Sequence, residues 1–270
     1  MRAVTLCGLI FLIARPQIVD ERSFVNIEGV DIVMAIDVSG SMEAFDDIRD
    51  RRTRIEVAKA EAIRFIEKRT NDPIGIVLFA HDALSRCPLT LDKKFLKELV
   101  GLLHIGIINH TETALGTGLA TAVNRLKNSQ AKSKIVILLT DGEPTSTEKI
   151  NPEVAMELAQ QFNIKVYTIG IGAENGGFGY DQFGRIGRFP SSLNVALLKQ
   201  IAEKTGGKFF KANNPQDMRH IYDTIDKLEK TEYQTNLFHN YYEAFLSFMW
   251  IIVLLFALEL FLSLFVWRGV

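Results

Sequence analysis

Asp37, Ser39 and Ser41 occupy alternate positions of the segment Asp-Val-Ser-Gly-Ser, directly after the apolar run Val30-Asp31-Ile32-Val33-Met34-Ala35-Ile36. One carboxylate and two hydroxyls, all hard oxygen donors, therefore stand where a buried strand would emerge. Such a set suits Mg²⁺, which demands near-octahedral geometry, keeps several waters and is held by few carboxylates. The pattern raises a divalent-metal site, for Mg²⁺ or Mn²⁺, at the rim of an α/β sheet. Ser, Gly and Asp are also the ordinary residues of a polar strand-to-loop turn. On these five residues the two readings stand level.

Two distant segments shift the balance toward metal. Lys134-Ile135-Val136-Ile137-Leu138-Leu139-Thr140-Asp141-Gly142 holds a second unbroken apolar run, as expected of a strand buried on both faces of a parallel sheet. It would deliver Asp141 to the same sheet edge as Asp37. Thr113-Ala114-Leu115-Gly116 precedes a helical pattern with Leu119, Ala120, Val123 and Leu126 on one face. Thr113 would project from the loop leading into that helix, so three separate loops offer oxygen donors.

The elements that must position these donors alternate between strand and helix, which indicates a parallel sheet with helices on both faces. Thr53-x-x-Glu56 is a capping box, and the helix it opens carries Ile55, Ala58, Ala62, Phe65 and Ile66 on one face. A strand is expected over 74–79, and a short edge strand over 83–88, where Pro88 fits. Helices are expected over 93–103 and 114–127. Asn151-Pro152 and Asn214-Pro215 each read as an N-cap followed by proline at the first helical position. The first of these helices should bury Val154, Ala155, Leu158, Ala159 and Phe162, and the second Met218, Ile221, Tyr222, Ile225 and Leu228. Further strands are expected over 164–171 and 207–212, with a helix from Asn194 to a stop at Gly206. The Gly-rich stretch 172–192 is expected to be a flexible loop. In a doubly wound sheet, ligands gather at the C-terminal strand edge where strand order reverses, and the segment from Asp37 to Ser41 would stand there.

Other chemistries find little support. Gly170-Ile171-Gly172 follows a strand, but Asn175 stands where a dinucleotide loop needs its third glycine, and no helix opens there. There is no Gly-x-x-x-x-Gly-Lys-Ser/Thr phosphate loop and no Gly-x-Ser-x-Gly elbow, and the five His form no metal spacing. With Lys+Arg 31 against Asp+Glu 32, the chain lacks the basic excess of a nucleic-acid binder. Cys7 lies in the apolar start and Cys87 in the folded part, a pair not expected to form a disulfide. Cys87 reads as a packed or edge-strand cysteine, since no His pattern accompanies it.

Taken together, Asp37-x-Ser39-x-Ser41, Thr113 and Asp141 resemble the metal-ion-dependent adhesion site (MIDAS) of von Willebrand factor A (vWA) domains, over roughly residues 30–230. Ala14-Arg15-Pro16-Gln17, Pro88-Leu89-Thr90-Leu91-Asp92 and Val166-Tyr167-Thr168-Ile169-Gly170 further resemble the membrane-anchored aerotolerance (Bat-type) vWA proteins of bacteria. The resemblance implies a doubly wound, Rossmann-like α/β domain with a mostly parallel sheet and one antiparallel edge strand. It also implies that Ser39 and Ser41 bind the metal directly, that Asp37 and Asp141 act mostly through waters, and that Thr113 joins directly or through water. An open coordination position would take an Asp or Glu carboxylate from a partner protein. Glu112 departs from the small residue usual before this Thr. It either fills the open position or points to solvent, and solvent is expected.

Residues 245–267 are almost unbroken hydrophobic sequence, long enough to cross a bilayer, which takes about 20 residues. Trp250 and Trp267 would help mark the interfaces, and Arg268 stops the run. Glu259 inside it is expected to pack against another transmembrane helix. Residues 3–14 are apolar but short for a span, and no small-x-small cleavage site follows. They resemble the second half of the helix that precedes the domain in Bat-type proteins, which usually carry more hydrophobic sequence upstream. The expected layout is a retained, truncated or shortened membrane segment over 1–14, a linker over 15–29, the vWA domain over 30–230, a linker over 231–244 and a transmembrane helix over 245–267. Arg2 and Arg268 would place both termini in the cytoplasm, an argument that Arg15 and Arg22 dilute. The resemblance implies a periplasmic domain at a bacterial inner membrane.

The function expected is a non-enzymatic, membrane-anchored module that binds a partner protein through the metal, scaffolding an envelope complex with other vWA or membrane proteins. A metal-dependent phosphoester or ester hydrolase is the alternative. The absence of a general base beside Ser39 or Ser41, and of an Asp-x-Asp nucleophile pair, argues against it.

Overall fold

The computed structural model describes residues 29–142, 149–172, 176–180, 183–189 and 193–229, together with 17–18, 242–243 and scattered positions between 249 and 261. Its contacts divide the chain into two units, Glu28–Tyr233 and a second made of Met1–Ile27 with Gln234–Val270.

The larger unit is built on β1 (Val30–Asp37), an eight-residue strand buried at all but one position. It pairs in parallel with β2 (Ile74–Phe79) on one side and with β4 (Ser133–Thr140) on the other. That central placement is why both strands read as continuous apolar runs. β3 (Ala83–Thr90) closes one edge antiparallel to β2, and β5 (Lys165–Ile171) and β8 (Phe209–Ala212) extend the other in parallel, giving the order β3-β2-β1-β4-β5-β8. The direction of winding reverses between β1 and β4. Cys87 is buried on β3 opposite Ile76, and burial pushes its thiol pKa up.

Successive strand residues point to opposite faces, so the sheet builds two cores. Ile32, Met34 and Ile36 of β1 join Ile55, Phe65 and Ile66 of α1 (Arg54–Lys68), together with α2 (Lys93–Gly101) and α6 (Pro215–Glu229). Val33 and Ala35 face α3 (Leu115–Leu126), α4 (Pro152–Gln161) and α5 (Val195–Thr205). α3 reaches its seat because Gly118 lies directly on Phe79. A Cβ there would stand 2.5 Å from the ring. The expected helix starts hold: Thr53 and Glu56 form the reciprocal capping box, Asn151 and Asn194 cap α4 and α5, and α5 stops at Gly206 in the left-handed conformation.

Three expectations need correction. Val154 is not buried (48% exposed), because α4 turns Ala155, Met156 and Ala159 to the sheet. Leu228 is likewise exposed at the end of the α6 stripe. The stretch expected to be a flexible loop instead contains an antiparallel hairpin, β6 (Gly177–Tyr180) with β7 (Ile186–Phe189).

In the second unit, Gln17–Ile18 pairs antiparallel with Tyr242–Glu243, and the described positions of 249–261 are helical. No helix among the described residues is long and apolar enough to cross a membrane. The expected membrane segment over 1–14 and most of 245–267, Glu259 included, lie outside the described residues.

Candidate metal centre

Asp37 ends β1 and Asp141 immediately follows β4, so the two neighbouring parallel strands bring both carboxylates to one sheet edge at the point where winding reverses. Both are buried, at 0% and 1% exposure. Asp37 Oδ1 accepts the Ser39 backbone N–H at 2.8 Å, and its Oδ2 accepts the Thr140 hydroxyl at 2.6 Å. The loop after β1 then makes a 3-10 turn over Gly40–Glu43, which folds Ser41 back over the edge. Ser41 donates its hydroxyl to Asp141 Oδ1 at 2.6 Å. Ser39 Oγ lies 3.0 Å from Ser41 Oγ. A hydroxyl has one proton, and Ser41 has given its own to Asp141, so Ser39 is the donor of that pair. The Ser39 oxygen keeps its acceptor lone pairs.

Thr113, also buried, is carried by the loop before α3. That loop is pinned to the β2 exit by Ala114 N–H donating to Ala80 O at 2.6 Å, and to the loop after β1 by Gly40 N–H donating to His110 O at 2.9 Å. Gly142 marks the convergence: its Cβ position would lie 3.4 Å from Thr113 Oγ1 and 3.8 Å from Ser41 Oγ. All five residues expected from the sequence thus meet at one edge. Glu112 pairs with His81 across 3.0 Å at the partly exposed rim, so it is not simply a solvent-facing carboxylate.

Arg54, at the first position of α1, was not anticipated. Its buried guanidinium donates from Nη1 to Asp141 Oδ2 at 2.8 Å and from Nη2 to Asp46 Oδ1 at 2.7 Å. Gly172 and Gly177 press against it, with Cβ positions that would fall 2.9 and 2.8 Å from Nη2. Asp46 and Thr140 were equally unforeseen. A cationic residue opening a helix opposes the macrodipole, and that mismatch was the one local sign of Arg54. A cleft of about 390 Å³ adjoins, lined by Asp46, Asp50, Arg54, Asn213 and Pro215 among others.

The electrostatics follow from this packing. Burial, reinforced by the Asp141 charge, pushes the Asp37 carboxyl up to about 7. Burial raises Asp141 too, and Arg54 pulls against that rise. Burial opposes the Arg54 charge, but Asp46 and Asp141 outweigh it and hold the guanidinium pKa above its usual value.

The family model of the von Willebrand factor type A domain matches residues 31–224. The chain belongs to the vWA family. An uncharacterized protein of Borreliella burgdorferi is 32% identical over 229 residues, covering 83% of this chain and 66% of that protein. A UPF0353 protein of Nocardia farcinica is 28% identical over 251 residues, 86% of this chain and 72% of that one. The chain therefore spans about two thirds of the length of these curated relatives. Among solved structures, the conserved hypothetical protein BatB from Bacteroides thetaiotaomicron superposes with a TM-score of 0.62 at 25% identity, over 75% of this chain and 100% of that one. An aerotolerance-related membrane protein from Bacteroides fragilis superposes with a TM-score of 0.60 at 24% identity, over 74% and 100%. The fold is thus similar to that of these Bat-type proteins, and vWA domains in general mediate protein–protein interactions.

Proposed function

We propose that this protein is a membrane-anchored interaction module whose vWA domain binds a partner protein through a divalent cation, Mg²⁺ or Mn²⁺, held by Asp37, Ser39, Ser41, Thr113 and Asp141. One observation carries the reading. Two buried carboxylates share a sheet edge with three hydroxyl-bearing side chains, and burial together with mutual repulsion lifts Asp37 to about 7. A divalent charge would relieve that repulsion, and its preferred ligands are oxygens of this kind. Bound there, the cation would supply a Lewis-acidic position for a carboxylate from the partner. Neutral hydroxyls would leave its charge little diminished, and charge-assisted contacts are among the stronger polar ones. Asp141, which accepts the Ser41 hydroxyl, is itself one of the proposed metal donors and is ion-paired to Arg54, so the arrangement favours binding over hydrolysis.

The apolar run 245–267 and the Bat-like kinship support anchoring in a bacterial inner membrane, with the vWA domain periplasmic and assembled with other membrane or vWA proteins into an envelope complex. The test is capture of partners from detergent extract in Mg²⁺ or in EDTA, with wild type and Asp37→Ala. A protein held only by wild type in Mg²⁺ is the expected result. The same partners in all four conditions would overturn the proposal.

A further inference from the structure

Both ends of the domain leave it at the sheet edge opposite Asp37 and Asp141. Strands β1, β2, β4, β5 and β8 run parallel and all start at that edge, and antiparallel β3 ends there. Gly29, which enters β1, packs on the loop before β2. Val30 N–H donates to Asp72 Oδ1 at 2.9 Å, and a Cβ on Gly29 would stand 3.2 Å from the Asn71 carbonyl oxygen. Glu229, the last residue of α6, accepts bonds from Ser133 and Lys165 at the starts of β4 and β5. The sequence beyond each exit carries an apolar stretch, 3–14 or 245–267. A connection of about 15 residues spans at most about 50 Å, so a bilayer holding those stretches is within reach of this edge.

The edge is basic. Lys94 lies in the first turn of α2, Lys127 follows α3, Lys134 stands at the start of β4, and Lys204 and Lys208 flank the turn from α5 to β8. Among the described residues, no acid pairs with any of these lysines. The neighbouring acids are engaged within the domain. Asp31 accepts the Ser129 hydroxyl, Asp72 and Asp226 hold Arg69, Glu67 holds Lys97, and Asp92 caps α2. Glu203 and Glu98 are the exposed acids left without such a bond among the described residues. Beside Lys94, Leu91 and Phe95 are 57% and 48% exposed, at the corner where Lys93 Nζ fastens the helix start to the Asp72 carbonyl. Apolar side chains set among lysines suit an anionic bilayer surface: the apolar groups enter the headgroup layer and the ammonium groups meet lipid phosphate.

We propose that this lysine-rich edge docks the domain on anionic lipid headgroups, with Leu91 and Phe95 set into the headgroup layer and the opposite edge held outward. The occupant is a bilayer surface of the phosphatidylglycerol type. Charge complementarity selects its anionic lipids, and the tether selects the bilayer, because both chain exits lead to apolar stretches and so keep this edge at high effective concentration beside it. This inference rests on the membrane-anchor reading above and is independent of the metal.

The test is amide hydrogen exchange of the full chain inserted in lipid nanodiscs, made of phosphatidylcholine alone or with equal parts phosphatidylglycerol. Segments 91–96, 127–134 and 204–208 are expected to exchange roughly tenfold more slowly with phosphatidylglycerol, as the attraction of several lysines implies. Exchange over 37–41 should be the same in both discs. High salt should remove the difference, because it screens exposed charges. The variant Lys94→Glu/Lys204→Glu/Lys208→Glu should show no slowing, while melting in detergent as wild type does. Equal exchange in the two discs, or slowing that the variant retains, overturns the docking and leaves the anchor standing. A chain that inserts in neither disc overturns the anchor and the docking with it. Slowing by single-stranded RNA in phosphatidylcholine discs, with none from phosphatidylglycerol, overturns the proposal and reassigns the edge to nucleic acid.

Discussion

Asp37 is the residue at which electrostatic cost and proposed function meet. Its folded pKa, about 7, lies above its ordinary 3.8. The folded state therefore binds this proton more tightly than the unfolded state does. Its contribution to stability is present at low pH and is lost as pH rises from about 4 through about 7. A bound cation would take the proton's place, so the Mg²⁺-induced rise in melting temperature should be larger at pH 8 than at pH 5.5. A shift of equal size at both would contradict the assignment. Asp37→Asn should raise the melting temperature in EDTA at pH 8 and abolish the Mg²⁺ shift, since it removes a buried charge along with a donor. Arg54→Ala should cost about 3 kcal/mol in urea unfolding, because it leaves Asp141 and Asp46 without their cation. A loss below 1 kcal/mol would mean that water replaces the guanidinium. The five oxygen-bearing residues were legible because Asp37, Ser39 and Ser41 are locally spaced and, with Thr113 and Asp141 at the ends of recognisable elements, resemble the vWA motif. Arg54 was not, because its role arises from a contact with Asp141, 87 positions away. Its place at a helix start, against the dipole, was a local violation of the kind that marks functional sites.

At the scale of elements, α6 is tied at both ends. Lys68 pairs with Asp223 and Arg219 with Glu61, fastening it to α1. At its far end, Glu229 accepts Lys165 Nζ at 2.8 Å, Tyr167 Oη at 2.5 Å and Ser133 Oγ at 2.8 Å, all from β4 and β5. Burial alone would raise the Glu229 carboxyl, but these three donors outweigh it and hold it below the usual range. Its sign is opposite to that of Asp37: the stability it gives is lost as pH falls through its folded pKa. Glu229→Ala should cost about 2 kcal/mol, since it strands a buried tyrosine hydroxyl as well as removing the acceptor. Urea melts at pH 7 check this, and a change within error would show that α6 is held by its apolar stripe alone. That stripe, like the strands β1 and β4, was readable from periodicity. The β6–β7 hairpin was hidden by glycines at 176, 177, 179, 184 and 187, and by a pairing with Phe45 that no local pattern announces. Phe178 and Tyr180, with Ile186 and Arg188 across the turn, kept the period-two spacing that could have revealed it.

For the whole molecule, the proposed metal-binding domain is followed in sequence by an apolar run that would anchor it. The full chain should fractionate with membranes, and the segment Glu28–Tyr233 expressed alone should be soluble and show the same Mg²⁺-induced melting shift. Loss of the shift in the isolated segment would place part of the metal site outside that unit. The strand order and the converging loops account for how distant donors reach one edge, and the apolar run accounts for where the domain would be held. The central claim is that the edge binds a divalent cation. The most direct measurement is calorimetric titration of Mg²⁺ into the EDTA-stripped full chain in detergent, with Asp37→Ala and Ser41→Ala beside it. The account predicts saturable binding of one ion by wild type and none by either variant. Heats that match buffer dilution in wild type, or binding that both variants retain, would contradict it.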